Sequence, residues 1–229
     1  MRNGLKTSYR TVVAGCIFAV GWCVAVAYSA EPSGGKAVSL AQLSENFDGP
    51  ESFDPRLRGL LGRTGVWDVK LHEGHLYFGN TTGETNIHFL RWMSIDGQSE
   101  PVDGLSHATV AVDVGGRFIG KHAAAGLIYR YRPDSGNYFA FVLTKDGEFA
   151  FYRRDAAGYR RVTGGHHPAI VPDRMNRLRI TSKDARVNLS INDVDVTSFK
   201  DAKFDRGGVG ILAAGTGHFY FDNLTVDVP

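Results

Sequence analysis

From Gly65 onward, apolar residues recur at every second position in short runs, and Gly, Asp, Asn and Pro separate one run from the next. Alternation of this kind sends one side of an extended chain into a core and the other toward water. Residues 66–71 and 75–78 read as a hairpin around His72-Glu73-Gly74. Ala108, Val110, Val112 and Val114 alternate toward a core, and Gly115-Gly116 is expected to end that strand. The next part is the most regular. Residues 125–132, 137–144 and 148–154 form a meander joined by Pro133-Asp134-Ser135-Gly136 and Lys145-Asp146-Gly147, turn sequences that adopt the required backbone conformations readily. Residues 159–163, 177–183, 186–191 and 194–199 continue the pattern, with Asp184-Ala185 and Asn192-Asp193 as turns.

The chain closes on GGVGILAAGTGHFYFDNLTVDV. Residues 209–213 make an apolar strand, Gly215-Thr216-Gly217 a turn, and the last strand sends Phe219 and Phe221 to the core before Asp222 and Asn223 interrupt the alternation. Helical signals are confined to residues 40–47, a short helix running into a strand, and 54–61, a helical turn. Many short strands with scarcely any helix predict an all-β, two-sheet antiparallel sandwich.

The beginning of the chain has a different pattern. Arg2, Lys6 and Arg10 precede an uncharged apolar run over residues 11–27, and Ala27-Tyr28-Ser29 supplies small residues where a signal peptidase reads them. Residues 1–29 are therefore expected to be a signal peptide cleaved near Ser29 or Ala30. An uncleaved signal anchor is the alternative, since the run approaches the roughly 20 residues of a membrane-spanning helix. Both place the remainder outside the cytoplasm: periplasmic, secreted or associated with the cell envelope. Residues 30–39, which include EPSGGK, read as a linker, and residues 40–229 as one domain.

Both cysteines, Cys16 and Cys23, fall in the leader, so the mature chain has neither a disulfide nor a thiolate metal site. Three of the 26 Lys and Arg residues and none of the 24 Asp and Glu lie there too, leaving 23 basic against 24 acidic side chains. A nearly neutral domain has no electrostatic attraction to nucleic acid, and no such partner is expected.

The succession GLIYRY, NYFAFVL, FAFYRR, NRLRI, VNLSIND, GGVGILAA and FDNLTV resembles the concanavalin A-like (laminin G-like) jelly-roll superfamily, with the pattern of secreted domains grouped with the 3-keto-disaccharide hydrolases. The resemblance covers residues 40–228 and implies a jelly-roll sandwich, a fold that hosts lectins, glycosidases, adhesion modules and inert appendages alike. It also implies calcium as the associated cofactor. Asn192, Asp193 and Asp195 are the close oxygen cluster, but a hairpin turn accounts for them, and no cofactor or metal is expected. Asp222 and Asn223 match the closing motif and are expected to fix the end of the last strand.

Catalytic machinery is not apparent. The superfamily's retaining glycosidases place two glutamates four positions apart on one strand, and no two glutamates here have that spacing. His72-Glu73-Gly74-His75 is one residue short of the zinc-protease spacing and sits on a hairpin, while the adjacent His166 and His167 are read as a loop overhanging a sheet. Asp113, in mid-strand, is expected to be solvated.

The meander carries the positive signal. If Leu127, Tyr129, Tyr131, Phe139, Phe141, Leu143, Phe149 and Phe151 face inward, strict alternation turns Arg130, Arg132, Tyr138, Tyr152 and Arg154 outward. Rings stack on the apolar faces of sugars and guanidinium groups bond to hydroxyls, so these five form the candidate ligand face, with Trp92 at its rim. A carbohydrate-binding module with a saccharide ligand is the leading expectation. A glycoside-processing enzyme of the keto-disaccharide hydrolase type and a protein-interaction or adhesion module use the same fold and remain alternatives.

Overall fold

The computed structural model describes residues 42–54, 57, 61–83, 88–93, 107–132, 134–200 and 207–228, excluding the side chains of 42 and 88–93. The expected leader (1–29) and linker (30–39) lie outside them, as does most of the expected helical turn at 54–61.

The described residues are almost entirely strand: β1 (Gln42–Glu45), β2 (Gly62–Thr64), β3 (Trp67–His72), β4 (His75–Asn80), β5 (His88–Met93), β6 (His107–Phe118), β7 (Ala124–Arg132), β8 (Asn137–Thr144), β9 (Glu148–Asp155), β10 (Gly158–His166), β11 (Asn176–Lys183), β12 (Arg186–Ile191), β13 (Val194–Lys200), β14 (Gly208–Ala214) and β15 (Gly217–Asp227). They form two antiparallel sheets. The larger runs β13-β12-β11-β6-β15-β4-β3-β2, with β1 also on β15, and the smaller runs β10-β9-β8-β7-β14-β5.

Between the sheets the alternating residues meet as expected. Phe219 and Phe221 are fully buried on β15, Trp67 and Phe78 come from β3 and β4, and Phe139, Phe141 and Phe151 come from the meander. Tyr129 on β7 reaches across and donates its hydroxyl hydrogen to Ser182 Oγ on β11 at 2.6 Å. Phe151 meets Phe199 of β13 with ring centroids 4.9 Å apart. The described residues contain no cysteine, and burial on this scale holds their fold.

Several local expectations are corrected. Gly115-Gly116 does not end β6, which continues to Phe118. A Cβ on Gly116, at φ +130°, would lie 2.0 Å from the His218 carbonyl oxygen, so glycine lets β6 stay paired to β15 at this close approach. Of the short helix running into a strand expected over residues 40–47, residues 42–45 are all strand, because β15 offers them an edge: Leu43 pairs with Val226 and Glu45 with Leu224. Asp113 is not simply solvated. Its carboxylate accepts from Arg177 Nη1 at 3.0 Å and from Asn223 Nδ2 at 2.8 Å. His166 belongs to β10 and not to a loop. At Asn223, φ +48° marks a bulge after which β15 continues to Asp227, so the Asp-Asn pair bends the last strand instead of ending it.

Candidate functional site: a groove on the smaller sheet

The outward side of the smaller sheet is apolar along its centre. Ile128 on β7, Ala140 and Val142 on β8, Ala150 on β9 and Leu212 and Ala214 on β14 form a buried cluster separate from the inter-sheet core, with Tyr131 and Tyr138 at one end and Tyr152 and Tyr159 packed against it. Both faces of β8 are therefore apolar, large inward and mostly small outward. A row of small side chains between larger ones leaves a hollow.

That hollow is a cavity of about 380 Å³. Ala140, Val142, Leu212 and Ala214 make its floor, and Tyr152 and Tyr159 its wall. Glu148 and Arg161 close one end with Asp146, while Lys121, His122 and Ala123 reach it from the β6–β7 connection. An apolar floor with a few polar groups at the edge is the usual composition of a small-molecule site.

The charged end is organised by pairing. Arg161 Nη2 donates to Glu148 Oε2 at 2.9 Å, and His166 Nε2 lies 3.4 Å from Glu148 Oε1. Glu148 thus presents acceptor capacity beside a guanidinium donor. The loops at this end are fastened to one another: Lys145 donates its backbone N–H to Ala123 O at 3.0 Å and its Nζ to Ile119 O at 2.9 Å. Ile119 and Gly120 both donate to Thr216 O at 3.0 Å. Loops held in this way lose little entropy when a ligand arrives.

The tyrosine wall is fixed from below. The Tyr138 and Tyr159 hydroxyls hydrogen-bond to each other, and burial pushes both phenols above their ordinary range, so both stay neutral.

No family profile and no curated protein matches the chain. Among solved structures it is similar to a prokaryotic β-1,3-1,4-glucanase (lichenase) derived from a mouse hindgut metagenome, with TM-score 0.56 and 10% identity over 82% of this chain and 99% of that one. A Bacillus licheniformis β-glucanase gives TM-score 0.55 at 7% identity, over 86% and 100% of the two chains. A Bacillus subtilis protein of unknown function with a galectin-like fold gives 0.54 at 14%, over 72% and 87%. The chain has the concanavalin A-like jelly-roll fold. At these identities the likeness concerns architecture alone.

Within this jelly roll the side chains expected on one outward face take different positions. Strict alternation fails at Arg130, which adopts φ +55° and forms a bulge: β14 pairs Val209 with Tyr129 and Gly208 with Tyr131, leaving Arg130 as the extra residue. Arg130 is only 1% exposed, its guanidinium 4.9 Å from the Tyr129 ring centre, and is not on the open face. The bulge also turns Tyr131 outward, against expectation, where its ring meets Tyr138 at 5.9 Å. Arg132 is occupied by Asp134 in the hairpin turn at 3.0 Å.

Tyr138 faces outward but is 3% exposed beneath Tyr131, Tyr159 and Arg154. Arg154 donates to the Gly136 carbonyl. Tyr152 lines the groove. Trp92 stands opposite Gly210 in the β5–β14 register, and its side chain lies outside the described residues.

Glu148, Tyr159 and Arg161 were not anticipated. A signal was present in β8, where Ala140 and Val142 fill outward positions that a solvated face would give to polar residues.

The oxygen cluster near Asn192 does not fit the calcium that the jelly-roll resemblance implies. Asn192 and Asp193 take φ +49° and +65° as hairpin residues. Asn192 Oδ1 accepts from Arg177 N at 2.8 Å, and Asp193 pairs with Arg179 at 2.6 Å. Among the described residues no group of three or more His, Cys, Asp or Glu side chains is arranged to hold a metal.

Proposed function

We propose that the chain is an exported carbohydrate-binding module that takes a saccharide in the groove of the smaller sheet. The observation that carries this reading is the groove itself: a cavity of about 380 Å³ with a small-residue floor, the Tyr152 and Tyr159 wall, and the Glu148–Arg161 pair at its end. The apolar C–H face of a sugar ring packs on such a floor and against such rings, while its hydroxyls need an acceptor and a donor side by side. The glucanases that share the fold act on glucans, which agrees with this ligand class. Export rests on the leader read from residues 1–29.

The test is a glycan array followed by titration calorimetry. An open groove of this size is expected to bind with a Kd in the micromolar to millimolar range, roughly −4 to −8 kcal/mol. Tyr152→Ala should weaken binding about tenfold with the fold intact, by removing one wall of stacking contact. Unchanged affinity in that variant would move the ligand out of the groove. N-terminal sequencing of secreted protein checks export, with Ala30 or Glu31 expected as the first residue.

A further inference from the structure

The outward side of the larger sheet is chemically divided. On β11 and β12 its outward positions carry Arg177, Arg179, Thr181, Arg186 and Asn188, the residues of a solvated face. On β3, β4 and β15 rings replace them. Register sets Lys70, Tyr77 and Tyr220 in one row, His72 beside His75 in the next, and Gly79 beside His218 on the other side. The Tyr77 and Tyr220 ring centres are 5.4 Å apart, His75 meets Tyr220 edge-on at 5.9 Å, and His218 stacks on Tyr77 at 5.9 Å.

One glycine, Gly79, shapes this surface. A Cβ on Gly79 would sit 2.2 Å from the Tyr77 hydroxyl, so the absent side chain lets Tyr77 lie along the sheet with its hydroxyl 2.8 Å from His218 Nδ1. Gly115 stands opposite Tyr220 on β6, and Met175 packs over it, its Sδ 2.8 Å from where a Cβ would lie. Lys70 crosses the Tyr77 ring with Nζ 5.2 Å from its centre, anchored by Asp68 at 2.9 Å.

We infer that this ring-bearing surface is a second saccharide site, on the face of the sandwich opposite the groove, and that it takes one hexopyranose unit of a neutral glycan. The partly exposed Tyr220 ring, with the edge of the 9% exposed Tyr77 ring beside it, offers a stacking contact for a pyranose C–H face, and the imidazoles of His75 and His218 border it. A protein partner would need aliphatic anchors, and no outward position of β3 or β4 supplies one. Lys70 partly covers the Tyr77 ring and competes with the ligand for it. Two sites on opposite faces make the module able to bridge two glycan strands, gaining avidity without tight individual sites.

The test uses the purified chain with laminarihexaose, cellohexaose and xylohexaose, read by amide shift mapping and calorimetry. Shifts are expected on β3, β4 and β15 as well as around the groove. Lys70→Ala, which uncovers Tyr77, should tighten the second site several-fold, and Tyr220→Ala should weaken it about tenfold while Tyr152→Ala leaves it unchanged. Shifts confined to the groove would overturn this site and leave the groove reading standing. Shifts confined to β3, β4 and β15 would do the reverse. Lys70→Ala and Tyr220→Ala both binding like the wild type would overturn it even where shifts appear.

Discussion

Truncating Phe219 to alanine tests whether β15 closes the core. Phe219 is fully buried in the larger sheet between β4 and β6, with ring centres 5.2 Å from Phe118 and 6.1 Å from Trp67. Removing a buried phenylalanine costs about 3 to 5 kcal/mol, the spread reflecting how far the surroundings can collapse. Little collapse is available here. Trp67 and Phe118 are rigid rings on paired strands, and the Phe219 ring lies over Gly217, where a Cβ would come 2.7 Å from its Cζ. The expected loss is therefore about 4 kcal/mol, a large share of the roughly 5 to 15 kcal/mol that holds a domain together.

Urea unfolding followed by tryptophan fluorescence measures this, with a lower midpoint and an unchanged m-value as the signature. Tyr220→Ala is the internal control. Tyr220 is one residue on and faces outward, so its truncation removes ring contacts to Tyr77 and His75 and should cost less than about 1.5 kcal/mol. Equal losses from the two variants, or a loss below about 1 kcal/mol for Phe219→Ala, would refute the alternation on which the closing strand was assigned.

Gly116→Ala should destabilise by at least about 2 kcal/mol in the same assay, since its Cβ would meet the His218 carbonyl at 2.0 Å in a backbone conformation that alanine avoids. Alkaline stability should fall from about pH 10 upward. Burial raises the Tyr129, Tyr138 and Tyr159 phenols in the folded state, so the unfolded chain loses those protons first, and stability present below the unfolded pKa drains as pH rises toward the folded ones. Phenolate absorbance that titrates completely before unfolding begins would contradict their burial.

Strand positions were legible where alternation and turn chemistry agreed. Residues 137–144 and 186–191 were bounded as β8 and β12 are, because a glycine or an Asx turn stands at their ends: Asp184, Asn192 and Asp193 all take the left-handed conformation. Within residues 40–47 a strand was read but placed after a short helix, because the extent of β1 is set by pairing with β15, nearly the whole chain away. The facing of Arg130 and Tyr131 was misread for a similar reason. Nothing in GLIYRY announces that an arginine will take φ +55°, since Arg has no special tolerance of that region. One left-handed residue then reverses the facing of Tyr131, the next residue on β7.

The same bulge explains where the groove lies. Along the outward side of β8 the residues shrink from Tyr138 to Ala140 and Val142, so size alone would leave a hollow beginning just past Tyr138. Turned outward by the bulge at Arg130, Tyr131 packs against Tyr138, and Arg154 comes over the ring from β9 and donates to the Gly136 carbonyl, so that end of the face is filled. The opposite end receives no such side chain from β7, whose residue there is Ala124, nor from β14, which contributes Ala214. It stays open, and there the β8–β9 turn brings Glu148 and the β10 strand brings Arg161 to its border. Of the residues first read as the ligand face, Tyr138 and Arg154 thus help close one end of the sheet, while Tyr152 lines the groove at the small-residue end, where Glu148 and the exposed side of Arg161 stand together.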